Sequence, residues 1–70
     1  MKVGGYMKAN KRKLQLAMAR VCINTYDLAD KANMPVPTLN NVLSGREVKP
    51  ATLGKVCRAL GIDVTELIED

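Results

Sequence analysis

Two adjacent side-chain amides, Asn40 and Asn41, follow a pair of prolines in the segment PVPTLNN, residues 35–41. A carboxamide donates and accepts hydrogen bonds at the same time, and this geometry matches the N6 and N7 atoms of adenine in the major groove of DNA. No Arg or Gln occurs in residues 35–44, so the segment offers no strong reader of guanine. The residues therefore favour contacts to A·T base pairs; the alternative is that both amides are ordinary exposed polar side chains.

Catalytic and metal-binding chemistry have little support in the composition. The 70 residues include no His and two cysteines, Cys22 and Cys57, with no Cys-x-x-Cys pair. No paired carboxylates lie beside a nucleophile on one helical face, and so short a chain can hardly enclose a deep cleft. We therefore expect no enzyme activity, metal, cofactor or small-molecule substrate. Both cysteines are expected to be small buried hydrophobic residues.

Charge is distributed unevenly along the chain. Eleven Lys and Arg against seven Asp and Glu give a formal charge of +4. The charged residues of positions 1–20 are all basic, whereas those of positions 63–70 are all acidic. This pattern favours a polyanionic partner near the N-terminal part of the chain, although a solvated face that serves solubility explains the charge equally well.

No segment of the sequence indicates a membrane or a secreted protein. The chain has no run of about 18 apolar residues, and residues 1–8 lack the apolar stretch of a signal peptide. We therefore expect a cytoplasmic protein that makes no membrane contact.

Five short helices and no strand are predicted, and the length of the chain corresponds to one domain. Asn10 is expected to cap a first helix that runs to about Val21 with its apolar residues at i, i+3, i+4 and i+7. Asn24 is expected to cap a second helix that ends at a left-handed Asn33. Residues before Asn10 then form an N-terminal arm (1–9) that need not be ordered, and the helical domain covers 10–70.

The prolines determine the predicted start of the third helix. Pro37 can be its first residue, because that amide has no partner within a helix, and it disfavours helical geometry at Val36. Residues 37–44 are therefore predicted to be helical, with Gly45 as a left-handed terminator. Asn40 and Asn41 then face outward.

Two more helical patterns follow. One covers about 51–60 and ends at Gly61, and its interior glycine, Gly54, suggests a close backbone contact. The last begins with a capping box between Asp63 and Glu66. The apolar residues after this box are few, so the last helix is expected to be short.

The second and third helices, joined by a tight turn and followed by a loop and another helix, form a helix-turn-helix arrangement. The segments LADKANMPVPTLNNVLSG and LGIDVTELI, with KP between them, resemble the lambda-repressor-like family, which includes phage repressors and Cro. The resemblance covers about residues 10–68. It implies an all-α, compact five-helix bundle with the helix-turn-helix at helices 2 and 3. It also implies a protein that binds double-stranded DNA, usually as a symmetric homodimer.

The resemblance further implies which residues contact DNA. Helix 25–32 would lie across the DNA backbone, and the N-terminal part of helix 37–44 would enter the major groove. Base contacts are implied for Val36, Pro37, Asn40 and Asn41. Phosphate contacts are implied for Thr25, Thr38, Arg46 and Lys49, and we also expect them for Tyr26, Arg12 and Lys13, with a solvated face as the alternative for the cations.

The expected function is that of a sequence-specific regulator of transcription, a repressor that covers its operator as a dimer. Dimer contacts are expected from the last helix, through Val64, Leu67 and Ile68. The alternative is an antitoxin-like interaction module whose main partner is a toxin. That module would need a segment that wraps the toxin, and the last apolar residue here, Ile68, is followed by only two residues.

Overall fold

The computed structural model describes residues 6–68, which fold into four α-helices and one short 3-10 turn. The helices are α1 (Lys11–Arg20), α2 (Thr25–Lys31), α3 (Val36–Leu43) and α4 (Pro50–Leu60), and the 3-10 turn covers Val64–Glu66. The all-helical prediction is confirmed for these residues. None of the helices in this part of the chain is long and apolar enough to span a membrane.

The predicted fifth α-helix is absent from the described residues, and the 3-10 turn takes its place. The backbone amides of Glu66 and Leu67 donate to the carbonyls of Asp63 and Val64, three residues earlier, at 3.0 and 2.9 Å. The predicted capping box between Asp63 and Glu66 is present. Hydrogen bonds from the Thr65 hydroxyl and amide lower the pKa of the Asp63 carboxyl below its ordinary value of 3.8. These contacts span only one turn, and the next residue, Leu67, is buried in the core.

Local signals define the ends of the helices. Asn10 and Asn24 cap α1 and α2, and their side-chain oxygens accept from the amides of Lys13 and Asp27 at 2.9 and 2.8 Å. Both predicted caps are confirmed. The predicted left-handed residues are also confirmed: Asn33 has φ 57°, Gly45 has φ 81° and Gly61 has φ 72°.

Two prolines stand one position further into their helices than predicted. The carbonyl of Pro35 accepts from the amides of Thr38 and Leu39, both at 3.1 Å, so α3 already begins at Val36 and Pro37 is its second residue. In the same way Lys49 precedes the first residue of α4, Pro50. A proline in the first helical turn loses no hydrogen bond. At Val36 this outweighs the steric preference of a residue before proline for an extended conformation.

One continuous core joins all the helices. Its fully buried side chains come from each α-helix and from the C-terminal turn: Leu14, Leu28, Leu39, Val42, Leu53, Val56 and Leu67. The expected dimer contact through Leu67 is therefore wrong, because this side chain has no exposed surface within one chain. Val64 and Ile68 are partly buried and pack against the same core.

Residues 7–10, just before α1, are held on the domain by backbone hydrogen bonds, whereas positions 1–5 of the predicted arm lie outside the described residues. Met7 and Val48 exchange both of their backbone bonds at 2.8 Å in an isolated antiparallel bridge, and the Asn10 amide donates to the Leu67 carbonyl at 2.6 Å. Ala9 is buried between these two attachments. The segment from Met7 to Asn10 thus links the loop after α3 to the C-terminal turn.

The end of α1 differs from the prediction. The helix ends at Arg20, Val21 is half exposed, and Cys22 adopts a left-handed conformation with φ 55°. The amide of Ile23 donates to the Met18 carbonyl at 3.1 Å, a bond that closes the helix around this left-handed residue. The predicted burial of Cys22 is therefore wrong, because the turn directs it outward, whereas Cys57 in α4 is buried as predicted.

The interior glycine of α4 has no close neighbour. A Cβ atom placed on Gly54 would meet nothing within 4 Å. The predicted close backbone contact at this position is therefore wrong, and the glycine leaves a small open space on the surface of α4.

Candidate nucleic-acid interface

A tight turn between α2 and α3 positions the candidate site. The amide of Met34 donates to the Ala29 carbonyl at 3.0 Å, and the left-handed Asn33 between them reverses the chain. Leu28 and Leu39 are both fully buried, and α2 packs directly against α3. The orientation of α3 is therefore fixed by a turn at one end and by buried side chains along its length.

The exposed side of α3 carries Pro37, Asn40 and Asn41. At about 100° per residue, these three positions fall within one arc of about 100°, opposite the buried Leu39 and Val42. Within residues 6–68, neither Asn side chain has a hydrogen-bond partner, so both amides are available to an external ligand. Their backbone carbonyls are occupied: Asn40 accepts from the Ser44 amide and Asn41 from the Arg46 amide.

The structure places Val36 and Thr38 less favourably than the three residues of the exposed arc. Both side chains are partly buried, and Val36 packs against the hydrophobic core. Only part of either side chain is therefore left for an external contact. Val36 keeps apolar surface beside Pro37, and Thr38 lies on the other flank of α3.

Two exposed cations lie in the loop after α3, which follows the exposed arc of Pro37, Asn40 and Asn41. Arg46 and Lys49 are both exposed, and neither has an ion-pair partner among the described residues. The exposed Glu47 lies between them in sequence and is their nearest acid along the chain. The Lys49 carbonyl accepts hydrogen bonds from the amides of Thr52 and Leu53 in α4. These bonds fix the backbone of Lys49, while its side chain extends into solvent.

The first turn of α2 presents two more of the predicted phosphate contacts. Thr25 is the first residue of α2 and is partly buried, whereas the Tyr26 side chain is 73% exposed. The side-chain oxygen of Asn24 caps this helix and accepts from the Asp27 amide. This high exposure leaves the Tyr26 hydroxyl accessible to a partner.

The two cations predicted on α1 point to different places. The Lys13 ammonium donates to the carbonyl of Ile68 at 3.2 Å and so lies toward the C-terminal turn. Arg12 instead borders a surface concavity next to the end of α3. Lys8 and Lys11, which were not among the predicted contacts, border the same concavity. The sequence signals for them were the cluster of positive charge and, for Lys11, a position in the first turn of α1, where cations are unfavourable.

A comparison with protein families agrees with this geometry. Residues 13–70 match the model of the Cro/C1-type HTH DNA-binding domain, which is most of the chain. The chain belongs to this Cro/C1-type family. The resemblance to lambda-repressor-like proteins is therefore confirmed, and the helix-turn-helix of α2 and α3 is that of a DNA-binding domain. Double-stranded DNA is the partner that membership in this family supports, as part of the regulation of transcription.

Two further comparisons give less information about this chain. A comparison with curated proteins finds no match to the sequence. Among solved structures, a mutant hydroxyethylphosphonate dioxygenase is similar to this Cro/C1-type chain with a TM-score of 0.77 and 25% sequence identity. The similarity covers 91% of this chain and 14% of the dioxygenase chain, so it concerns a small portion of that enzyme.

Proposed function

We propose that this Cro/C1-type protein is a cytoplasmic, sequence-specific transcriptional repressor that binds its operator as a homodimer and blocks the polymerase by occlusion. It acts without catalysis and without a cofactor. The observation that carries the proposal is the exposed arc of Pro37, Asn40 and Asn41 on α3. Two amides that have no side-chain partner among residues 6–68, beside an apolar ring, are suited to the donor, acceptor and methyl pattern of A·T base pairs.

The direct readout comes from α3. Asn41 bonds bidentately to one adenine and Asn40 to its neighbour, while Pro37 and the exposed part of Val36 contact thymine methyl groups. Discrimination rests on the amides, because an unpaired carboxamide in the groove loses its hydrogen bonds to both water and base. The half-site therefore contains consecutive A·T pairs.

The backbone contacts fix the position of α3 in the groove. Arg46 and Lys49 after α3, Thr25 and Tyr26 at the start of α2, and Thr38 on the flank of α3 face the phosphates, together with Arg12 of α1. These contacts add affinity without sequence preference and make binding depend on salt. Family membership supports DNA binding but gives no support to the antitoxin-like alternative.

A selection of binding sites from random duplex DNA tests the proposal. We expect an inverted repeat of A·T-rich half-sites whose centres lie about 34–36 Å apart, one helical turn. The matched control is the Asn40→Ala, Asn41→Ala double variant, which keeps the fold and should lose the motif. A single half-site without symmetry would contradict the homodimer, and the absence of any enriched motif would contradict sequence-specific binding.

Occlusion needs a second measurement. We expect that the protein lowers transcription in vitro from a promoter that overlaps the selected site. A template with the site moved well upstream should be unaffected, because the bound protein no longer covers the polymerase site. Increased transcription from either template would contradict a repressor.

A further inference from the structure

A basic concavity lies where the start of α1 meets the end of α3. Its volume is about 340 Å³, and its lining includes the cations Lys8, Lys11 and Arg12 together with Ser44 and Gly45. Ser44 and Gly45 directly follow Leu43, the last residue of α3. The concavity is therefore continuous in the chain with the helix proposed to read bases.

Tertiary contacts hold the two sides of the concavity together. The aliphatic stem of Lys11 lies over Gly45: its Cδ and Cγ atoms are 3.1 and 3.3 Å from the point where a Cβ of residue 45 would lie. Met7 is bonded to Val48, and Asn10 to Leu67, so the segment that carries Lys8 is attached at both ends. The three cations thus occupy defined positions on the folded domain.

The charge of the concavity is uncompensated. Its lining contains no Asp or Glu, and none of its three cations forms an ion pair within the part of the chain that the structure describes. Lys11 and Arg12 also lie in the first turn of α1, where the helix macrodipole is positive and cations are unfavourable. An anionic partner at this place would offset both costs.

We propose that this concavity binds the sugar-phosphate backbone of DNA next to the base pairs read by α3, with Lys8, Lys11 and Arg12 each contacting a phosphate. The inference rests on the proposed DNA-binding function and adds Lys8 and Lys11 to the interface. DNA is the occupant that fits, because the concavity is open, basic and continuous with α3. Its contacts supply affinity and register, and they carry no sequence preference.

A second basic concavity provides a matched control. Lys31, Lys55 and Arg58 border it, with a volume of about 350 Å³ between α2 and α4. Lys31 and Arg58 lie in the last turns of their helices, where cations are stabilised by the negative end of the macrodipole. These charges therefore have a structural explanation that those at the start of α1 lack.

The test compares two double variants with equal loss of charge, Lys8→Gln with Lys11→Gln, and Lys31→Gln with Arg58→Gln. Each is titrated with the selected duplex and with a scrambled duplex between about 50 and 200 mM salt. Over this range added salt weakens the binding that phosphate contacts provide. Loss of two phosphate contacts in each protomer should lower the magnitude of the slope of log K against log salt by about 1.8 per bound protomer, and so by about 3.6 for the homodimer, at about 0.9 per contact. We expect this drop for the first variant on both duplexes, an unchanged slope for the second, and an unchanged preference between duplexes.

Each outcome has a distinct meaning. A slope for Lys8→Gln with Lys11→Gln equal to that of the wild type, or an equal drop in both double variants, overturns the proposed phosphate site while leaving DNA binding intact. A wild-type chain that binds neither duplex overturns the proposed function and this inference with it. Because Lys11 packs on Gly45, thermal melting checks that each variant folds, and the single variant Lys8→Gln, outside any helix, should still lower the magnitude of the slope by about 0.9 per bound protomer.

Discussion

Residues of the same type have different surroundings in this protein. Asn33 adopts a left-handed backbone conformation in a turn, whereas the Asn40 and Asn41 side chains are exposed and have no hydrogen-bond partner within residues 6–68. Cys22 is exposed at the end of α1, and Cys57 is buried in α4. The accessibility of an amide or a thiol therefore depends on its position in the fold. Two measurements at single residues test this difference.

The first residue-scale prediction concerns the amide of Asn41. We expect that Asn41→Ala weakens binding by about 1–3 kcal/mol at one base pair of the half-site and relaxes the preference there, because one bidentate contact is lost. Binding to duplexes with each base at that position measures the effect. Gln15→Ala removes an exposed amide from α1 and should change nothing. An equal loss on all four duplexes would show that Asn41 only contacts the backbone.

The second residue-scale prediction concerns the thiols of Cys22 and Cys57. Burial, and then the negative charges of Asp63 and Glu66, raise the pKa of the Cys57 thiol above its ordinary value of 9.0, so little thiolate forms there near neutral pH. We expect a thiol reagent to modify Cys22 quickly in the native protein and Cys57 only after denaturation. Cys22→Ser should abolish the fast reaction. Fast modification of Cys57 in that variant would contradict its burial.

At the scale of the element, helix boundaries follow local chemistry while helix interiors depend on packing. The caps at Asn10 and Asn24 and the left-handed residues Asn33 and Gly61 lie where the sequence predicts them, because each acts through hydrogen bonds to residues within one turn. Gly54 lies inside α4 and gives no such local signal. Only the packing of α4 shows that space is open beside it.

Gly54→Ala is therefore expected to stabilise the protein by about 1 kcal/mol, because alanine has the higher helix propensity and its methyl group meets no neighbour. Urea unfolding measures the free energy of unfolding. Gly61→Ala is the matched control: its methyl group also meets nothing within 4 Å, but φ is +72°. That left-handed conformation should make Gly61→Ala destabilising, by about 1–2 kcal/mol. Destabilisation by both variants would contradict the open space at Gly54.

At the scale of the whole molecule, a thin core depends on contacts between distant parts of the chain. Leu67 is fully buried although it follows the last α-helix, and its carbonyl accepts the amide of Asn10. The Lys13 ammonium bonds to the neighbouring Ile68 carbonyl at 3.2 Å. The C-terminal turn thus belongs to the core of the domain through the buried Leu67.

Leu67→Ala should lower the free energy of unfolding by about 2–5 kcal/mol, the usual cost of a cavity at a fully buried leucine. Leu16, on the outer side of α1, is 52% exposed, and Leu16→Ala should change stability by no more than about 0.5 kcal/mol. Denaturant titrations at several protein concentrations measure both variants. A destabilisation by Leu67→Ala that disappears on dilution would instead place this residue in a dimer interface.

The sequence by itself determined the all-helical class, the helix caps and terminators, and the helix-turn-helix with its exposed amides. These features arise from hydrogen bonds and apolar spacing within a few residues, which can be read along the chain. The same spacing placed Asn40 and Asn41 on the side of α3 opposite Leu39 and Val42.

Only the tertiary structure decided which distant groups meet. It attached Met7 to Val48, buried Leu67, exposed Cys22 and brought Lys11 onto Gly45 beside the end of α3. Lys11 and Gly45 are separated by most of the helical domain, and no local pattern relates them. Their contact depends on how α1 and α3 pack around the shared core, and the basic concavity exists only as a result of that packing.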